Sequence, residues 1–291
     1  MLELAIQQII NGLLVGTIYT MMALGFMVIL GTLNVVNMAQ GEFYMVGGYF
    51  SFVATAYLGL DYFSSIAVAM LLTAVIGILV ERVAVRPFLA RPQYVVFLST
   101  LAVSMILIDA AQLIFSPEPQ RISTPFPLNP IIIGPIYLTV QKIVIFVIAA
   151  LIIIGFAVFL KYTRLGMAIR ALARDRDTAL LMGINADRIH TLTFGIGAAL
   201  AGAAGALVGA MFSVYPTMGE LPLLKSFALV VMGGLGSVGG VLAAGLILGV
   251  AEGLTAGFIS GGLTDLVAFI TLIAILLARP QGLSSRRLSR G

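Results

Sequence analysis

KYTRLGMAIRALARDRDTALLMGINADRIH, residues 161–190, is the one long charged segment of an otherwise apolar sequence. In it Lys161, Arg164, Arg170, Arg174, Arg176 and Arg188 are interspersed with Asp175, Asp177 and Asp187. Apolar runs flank it at 140–160 and 192–212. About 20 apolar residues suffice for a helix to cross a bilayer core of roughly 30 Å. A basic loop between two such runs is a cytoplasmic loop of a polytopic membrane protein. Its length and internal order mark it as a surface on which a partner acts.

The bulk composition agrees. The 291 residues are 60% hydrophobic and only 10% charged, with mean hydropathy +1.13, whereas soluble domains carry roughly 25% charged residues. The net charge of +4 sits at the edges of apolar runs. That is the distribution of the positive-inside rule and not a nucleic-acid-binding stripe. With no cysteine, disulfides and thiolate metal sites are excluded. The start, MLELAIQQII, has no basic segment of the kind that opens a cleaved leader, so the first apolar run is expected to remain as a spanning helix.

Outward from the loop, spans are expected at 11–30, 35–60, 64–80, 95–115, 140–160 and 192–212, with further spans within 226–278. The last stretch divides at the glycines 233–240 and again near Ser260. Arg82, Arg86 and Arg91 place 81–93 in the cytoplasm, and Arg279, Arg286, Arg287 and Arg290 place the tail 279–291 there too. The loop 116–138 is too rich in proline for a helix and is read as extracytoplasmic. Residues 215–225 are read as an outer turn. Counting crossings back from a cytoplasmic C-terminus gives nine helices and an outside N-terminus, within a range of eight to ten. The fold class is therefore all-α: one transmembrane domain over 1–291, a bundle of eight to ten helices with interrupted helices and a cytoplasmic helical segment within 161–190.

Small residues recur at every fourth position in Gly197, Ala201, Gly205 and Gly209. Such a face lets another backbone approach closely where lipid supplies no hydrophobic drive. Packing within the bundle is the expected use, a dimer face the alternative. The cluster Asn34, Asn37, Gln40, Glu42 is too polar for lipid exposure. Polar groups at membrane depth line cavities or the bundle interior, and half-helix ends offer free backbone groups to a solute. An interrupted helix lining a pathway and an ordinary cytoplasmic turn both fit this cluster. Asp109 with Gln112, and Glu252 with Thr255, lie one turn apart in apolar runs and serve either a pathway or interhelical hydrogen bonding; Asp109 is the deeper.

Within the charged segment, Arg170, Arg174 and Asp177 fall on one helical line, and Leu165, Ile169, Leu172 and Leu180 mostly on another. That is an amphipathic helix across the base of the bundle. Asp175 or Asp177 is positioned to cap a second short helix, and Gly183 to end it in a left-handed conformation. No P-loop, G-x-S-x-G or H-E-x-x-H occurs, and His190 is the sole histidine. The chain is not read as an enzyme.

Residues 12–50, GLLVGTIYTMMALGFMVILGTLNVVNMAQGEFYMVGGYF, resemble the N-terminal signature of the inner-membrane permeases of branched-chain amino-acid ABC importers. RALARDRDTALLMGIN (170–185) resembles their coupling loop. LKSFALVVMGGLGSVGGVLAAGLILGVAE (224–252) and LARPQGL (277–283) also match. The resemblance implies the shorter of two paired permeases in a bacterial or archaeal inner membrane. It implies a homologous second permease, two ATPase subunits that bind and hydrolyse the ATP, and a periplasmic or lipid-anchored binding protein. No cofactor is expected on this chain. The implied solute is a branched-chain or related amino acid; urea or an amide is the alternative within the family, and an ion-coupled secondary transporter the alternative outside it. Asn34, Asn37, Gln40, Glu42 and Asp109 are the expected pathway residues. Arg170, Arg174, Asp175, Asp177, Ala179 and Gly183 are the expected coupling residues. Gln40 stands where many relatives carry histidine.

Overall fold

The computed structural model describes residues 1–127, 130–133 and 136–278; the expected tail 279–291 lies outside the described residues. Eleven α-helices follow one another among them: α1 (Leu2–Leu33), α2 (Gln40–Ala56), α3 (Tyr62–Val80), α4 (Gln93–Phe115), α5 (Val140–Tyr162), α6 (Arg164–Arg174), α7 (Arg176–Leu181), α8 (Ala186–Met211), α9 (Glu220–Gly233), α10 (Val238–Phe258) and α11 (Thr264–Ala278). Helix α3 runs on through a π-turn at Glu81–Val85 and a 3-10 turn at Arg86–Phe88. Among the described residues six helices are long and apolar enough to cross a membrane: α1, the extended α3, α4, α5, α8 and α10. Three further apolar helices are shorter, with 17 residues in α2, 14 in α9 and 15 in α11.

The chain breaks where the backbone chemistry allows it. Asn34 takes the left-handed conformation (φ 54°) and ends α1. Gly234 and Gly236 (φ 91° and 83°) separate α9 from α10, at the glycine cluster where the sequence analysis divides the run. The division near Ser260 also corresponds to a break, between α10 and α11.

Helices α1 and α8 form the centre, with 78% and 72% of their most apolar windows buried; α4 and α5, at 22% and 28%, lie on the outside. The centre holds together by close backbone approach. Gly12 and Gly16 of α1 meet Gly249 and Gly245 of α10. Gly197 of α8 faces Gly25 of α1, Gly205 faces the Tyr44 carbonyl of α2, and Gly209 faces Val214 and Ile122. Ala201 is fully buried between them. The small-residue face of α8 is thus spent inside this chain.

Two segments depart from expectation. The proline-rich loop is not featureless: β1 (Pro130–Ile133) and β2 (Ile136–Thr139) pair as an antiparallel hairpin, Ile131 opposite Leu138. Its β-branched isoleucines suit a strand. Gln7 pins the hairpin to α1, donating to the Tyr137 carbonyl (3.0 Å) and accepting from its N–H (2.9 Å). The second departure is 215–225, which is not all turn. Helix α9 starts at Glu220, and Lys225 is buried in it.

Candidate functional site

The polar cluster after α1 is divided by the fold. Asn34 is exposed at the helix end, whereas Asn37, Gln40 and Glu42 are buried. Asn37 Oδ1 accepts the Ala39 N–H (3.1 Å), and its Nδ2 donates to Gln40 Oε1 (3.4 Å). Gln40 Nε2 donates to the Gly197 carbonyl (3.1 Å), about halfway along α8. Ser104 Oγ, halfway along α4, donates to Glu42 Oε1 (2.9 Å). Glu42 Oε2 is buried with no hydrogen-bond partner among the described residues. These contacts set the start of α2 inside the bundle and not at its end. Asp109 is exposed on another face of α4 and does not join the cluster.

The N-terminus of α9 meets the N-terminus of α2 at this depth. Gly41 and Gly219 lie against each other so closely that a Cβ on Gly41 would come within 2.7 Å of the Gly219 carbonyl oxygen. Two short helices therefore start from one point within the bundle. The positive ends of their dipoles converge there.

Beside that point is a cavity of about 380 Å³, within the range of small-molecule sites. Its polar lining is Tyr19, Tyr44, Ser213, Tyr215, Thr217, Glu220 and Lys225; the remaining wall is apolar, with Ile18, Val208 and Met218. Lys225, its side chain only 6% exposed, makes ion pairs with Glu252 (2.9 Å) and Asp265 (2.8 Å) and lies 3.3 Å from the Tyr19 hydroxyl. This cluster ties α9 to α10, α11 and α1. Of the Glu252–Thr255 pair, the threonine bonds within its own helix, to the Ala251 carbonyl, while the glutamate joins Lys225. Sequence reasoning missed Lys225 by placing it in a turn. Its signal was a lone lysine leading into 226–278, a long apolar run that contains only two carboxylates.

At the basic end, Thr163 caps α6 through the Gly166 N–H (2.9 Å), and Ile169 and Leu172 are buried beneath it. The chain turns at Asp175, so Asp177 and Leu180 belong to a different helix from Arg170 and Arg174. Asp175 caps α7, accepting from the Thr178 N–H (3.1 Å) and hydroxyl (2.5 Å). These bonds hold its carboxyl below the usual carboxylate range. Ala179 is buried under α7, and Gly183 follows in the left-handed conformation (φ 80°). At the end of α7, Leu181 and Met182 are 88% and 78% exposed, an apolar tip that the helical pattern alone did not single out. Arg170 and Arg174 instead line a second cavity. Arg86 pairs with Asp187, joining the end of α3 to the start of α8. Among the described residues no group of three metal-ligating side chains forms.

The profile of a family described as "Branched-chain amino acid transport system / permease component" matches residues 8–276. The high-affinity branched-chain amino acid transport system permease protein BraD of Pseudomonas aeruginosa is 36% identical, over 97% of this chain and 96% of its own length. LivH of Salmonella typhimurium, described in the same words, is 35% identical over the same shares of each chain. LivM of Escherichia coli, also described as a permease protein of such a system, is 27% identical over 91% of this chain and 67% of its own.

Proposed function

Because the chain belongs to the branched-chain amino acid transport permease family, a family of multi-pass inner-membrane proteins, we propose that it is the membrane subunit of an ATP-driven importer of branched-chain or related amino acids. The observation that carries the solute class is the inner cavity, where apolar walls, the Glu220 carboxylate and the Lys225 cluster meet two helix N-termini. An ammonium and a carboxylate on one carbon that also bears a branched apolar side chain match that lining better than neutral urea or an amide does. Asn37, Gln40 and Glu42 support the pathway from behind, by fixing the start of α2 against α4 and α8. Asn34 and Asp109 would belong to the pathway only if a partner covers the faces on which they stand.

The assembly in this reading holds a homologous second permease, two ATPases that carry the ATP, and a solute-binding protein outside the membrane. This chain needs no cofactor. The ATPases would dock on 175–183, with the Leu181–Met182 tip as the apolar contact and Asp175, Asp177, Ala179 and Gly183 shaping it, while Arg170 and Arg174 face the second cavity. Closure of the ATPases moves α6 and α7, and the close glycine contacts of α1, α8 and α10 pass the shift on as a rigid displacement.

Copurification in gentle detergent followed by reconstitution tests this. A second permease and an ATPase pair should come down with the tagged chain, and liposomes holding the set should take up leucine with ATP and binding protein. Leucine uptake by the chain alone, driven by an ion gradient, would instead make it a secondary transporter. Uptake of urea but not leucine would leave the assembly standing and reject the solute.

A further inference from the structure

We propose that the second cavity is a binding site for one anionic phospholipid of the cytoplasmic leaflet. Its phosphate is held by Lys161, Arg170 and Arg174, and an acyl chain lies between α1, α5 and α10. The cavity is the larger of the two, about 880 Å³, and lies at the basic end of the bundle under α6. Its walls are aliphatic, among them Val28, Ile153, Ala157 and Leu242. Ile154 and Leu235, which also line it, are 58% and 62% exposed, so the apolar floor continues onto the lipid-facing surface.

All the charge on its lining is positive: Lys161, Arg170 and Arg174, without a carboxylate. None of the three is ion-paired among the described residues. Arg170 instead turns back to donate to the Lys161 carbonyl (3.3 Å), which gathers two of the cations at the end of α5. An apolar slot opening toward lipid, with three cations that lack a carboxylate partner at headgroup level, is complementary to a phosphodiester carrying acyl chains; Lys161 Nζ lies over the Tyr162 ring. A soluble anion would leave the slot empty, and a zwitterionic headgroup would set its own cation against the three.

Gly239 supplies a plug. It lines the cavity in the first turn of α10, and a Cβ there meets nothing within 4 Å. Gly239→Trp fills the slot without straining the backbone, while Lys161→Gln/Arg170→Gln/Arg174→Gln removes the charge and leaves the slot open. The protein, purified with the chains that accompany it, is placed in nanodiscs of mixed phosphatidylglycerol and phosphatidylcholine with matched acyl chains and examined by native mass spectrometry. One retained phosphatidylglycerol is expected. The triple substitution should lower its retention at least about tenfold, and Gly239→Trp should abolish it while the complex stays assembled. Equal retention of the two lipids, or wild-type retention by the plugged variant, would overturn the proposal. So would efficient cross-linking of Ile154→Cys to a second permease, which would make the cavity a protein interface.

Discussion

At the scale of single residues the bundle depends on what is missing from Gly205. A Cβ there would run into the Tyr44 carbonyl of α2, a backbone atom that cannot move aside alone. Gly205→Leu should therefore destabilise by about 1–3 kcal/mol or more, the usual cost of overpacking. Gly155, in α5, has nothing within 4 Å of its Cβ position, and Gly155→Ala should stabilise by about 0.5–1 kcal/mol through helix propensity. Thermal unfolding in detergent, run on both variants, checks the pair. Lys225 is the opposite kind of residue, defined by its contacts. Lys225→Met leaves Glu252 and Asp265 facing each other without a cation and should cost about 3–5 kcal/mol. Adding Glu252→Gln should restore part of that loss, and the double-mutant cycle measures how much.

Among the elements, α7 is held by its cap. The Asp175 carboxyl titrates lower in the folded chain than in the unfolded one, because Thr178 bonds to its charged form. The cap therefore stabilises α7 fully above the ordinary aspartate range, and its contribution is lost as pH falls through the depressed folded value. Exchange protection of the 178–181 amides should decline over that acidic window. Asp175→Asn should cap at every pH and remove the titration; Asp175→Ala should leave the Thr178 amide, which the side chain holds, unprotected throughout. This cap was legible from sequence, because Asp is an N-cap residue and Gly183 a stop. The same pattern misled where it ran through the cap: Asp177 lies on the line of Arg170 and Arg174 only if one helix spans Asp175. The hairpin was hidden by the prolines around it. Helix α9 was hidden because Pro222 and Glu220 read as a turn, although proline suits a first helical turn and an acid suits a helix start.

For the whole molecule, the coupling reading can be tested at the exposed tip. Leu181→Ser/Met182→Ser should leave insertion and the helix bundle unchanged, since both side chains stand in the open. In the same variant, ATPase subunits should copurify several-fold less and ATP-driven uptake should fall with them. Membrane class and break points could be read from composition and glycines alone. What joins the helices could not. Tyr19, Lys225, Glu252 and Asp265 are scattered over 247 positions, from 19 to 265, and only the fold brings their side chains together. The short helices carry a further consequence. With 14 residues, α9 reaches about 21 Å, against a hydrocarbon layer of roughly 30 Å. Its start beside Gly41 lies inside that layer, so the segment 212–219 must dip into it. Here the chain crosses the layer by a short helix and a re-entrant segment in place of one long helix. A solute held in the cavity beside that start would lie between two helix ends, away from both rims of the bundle.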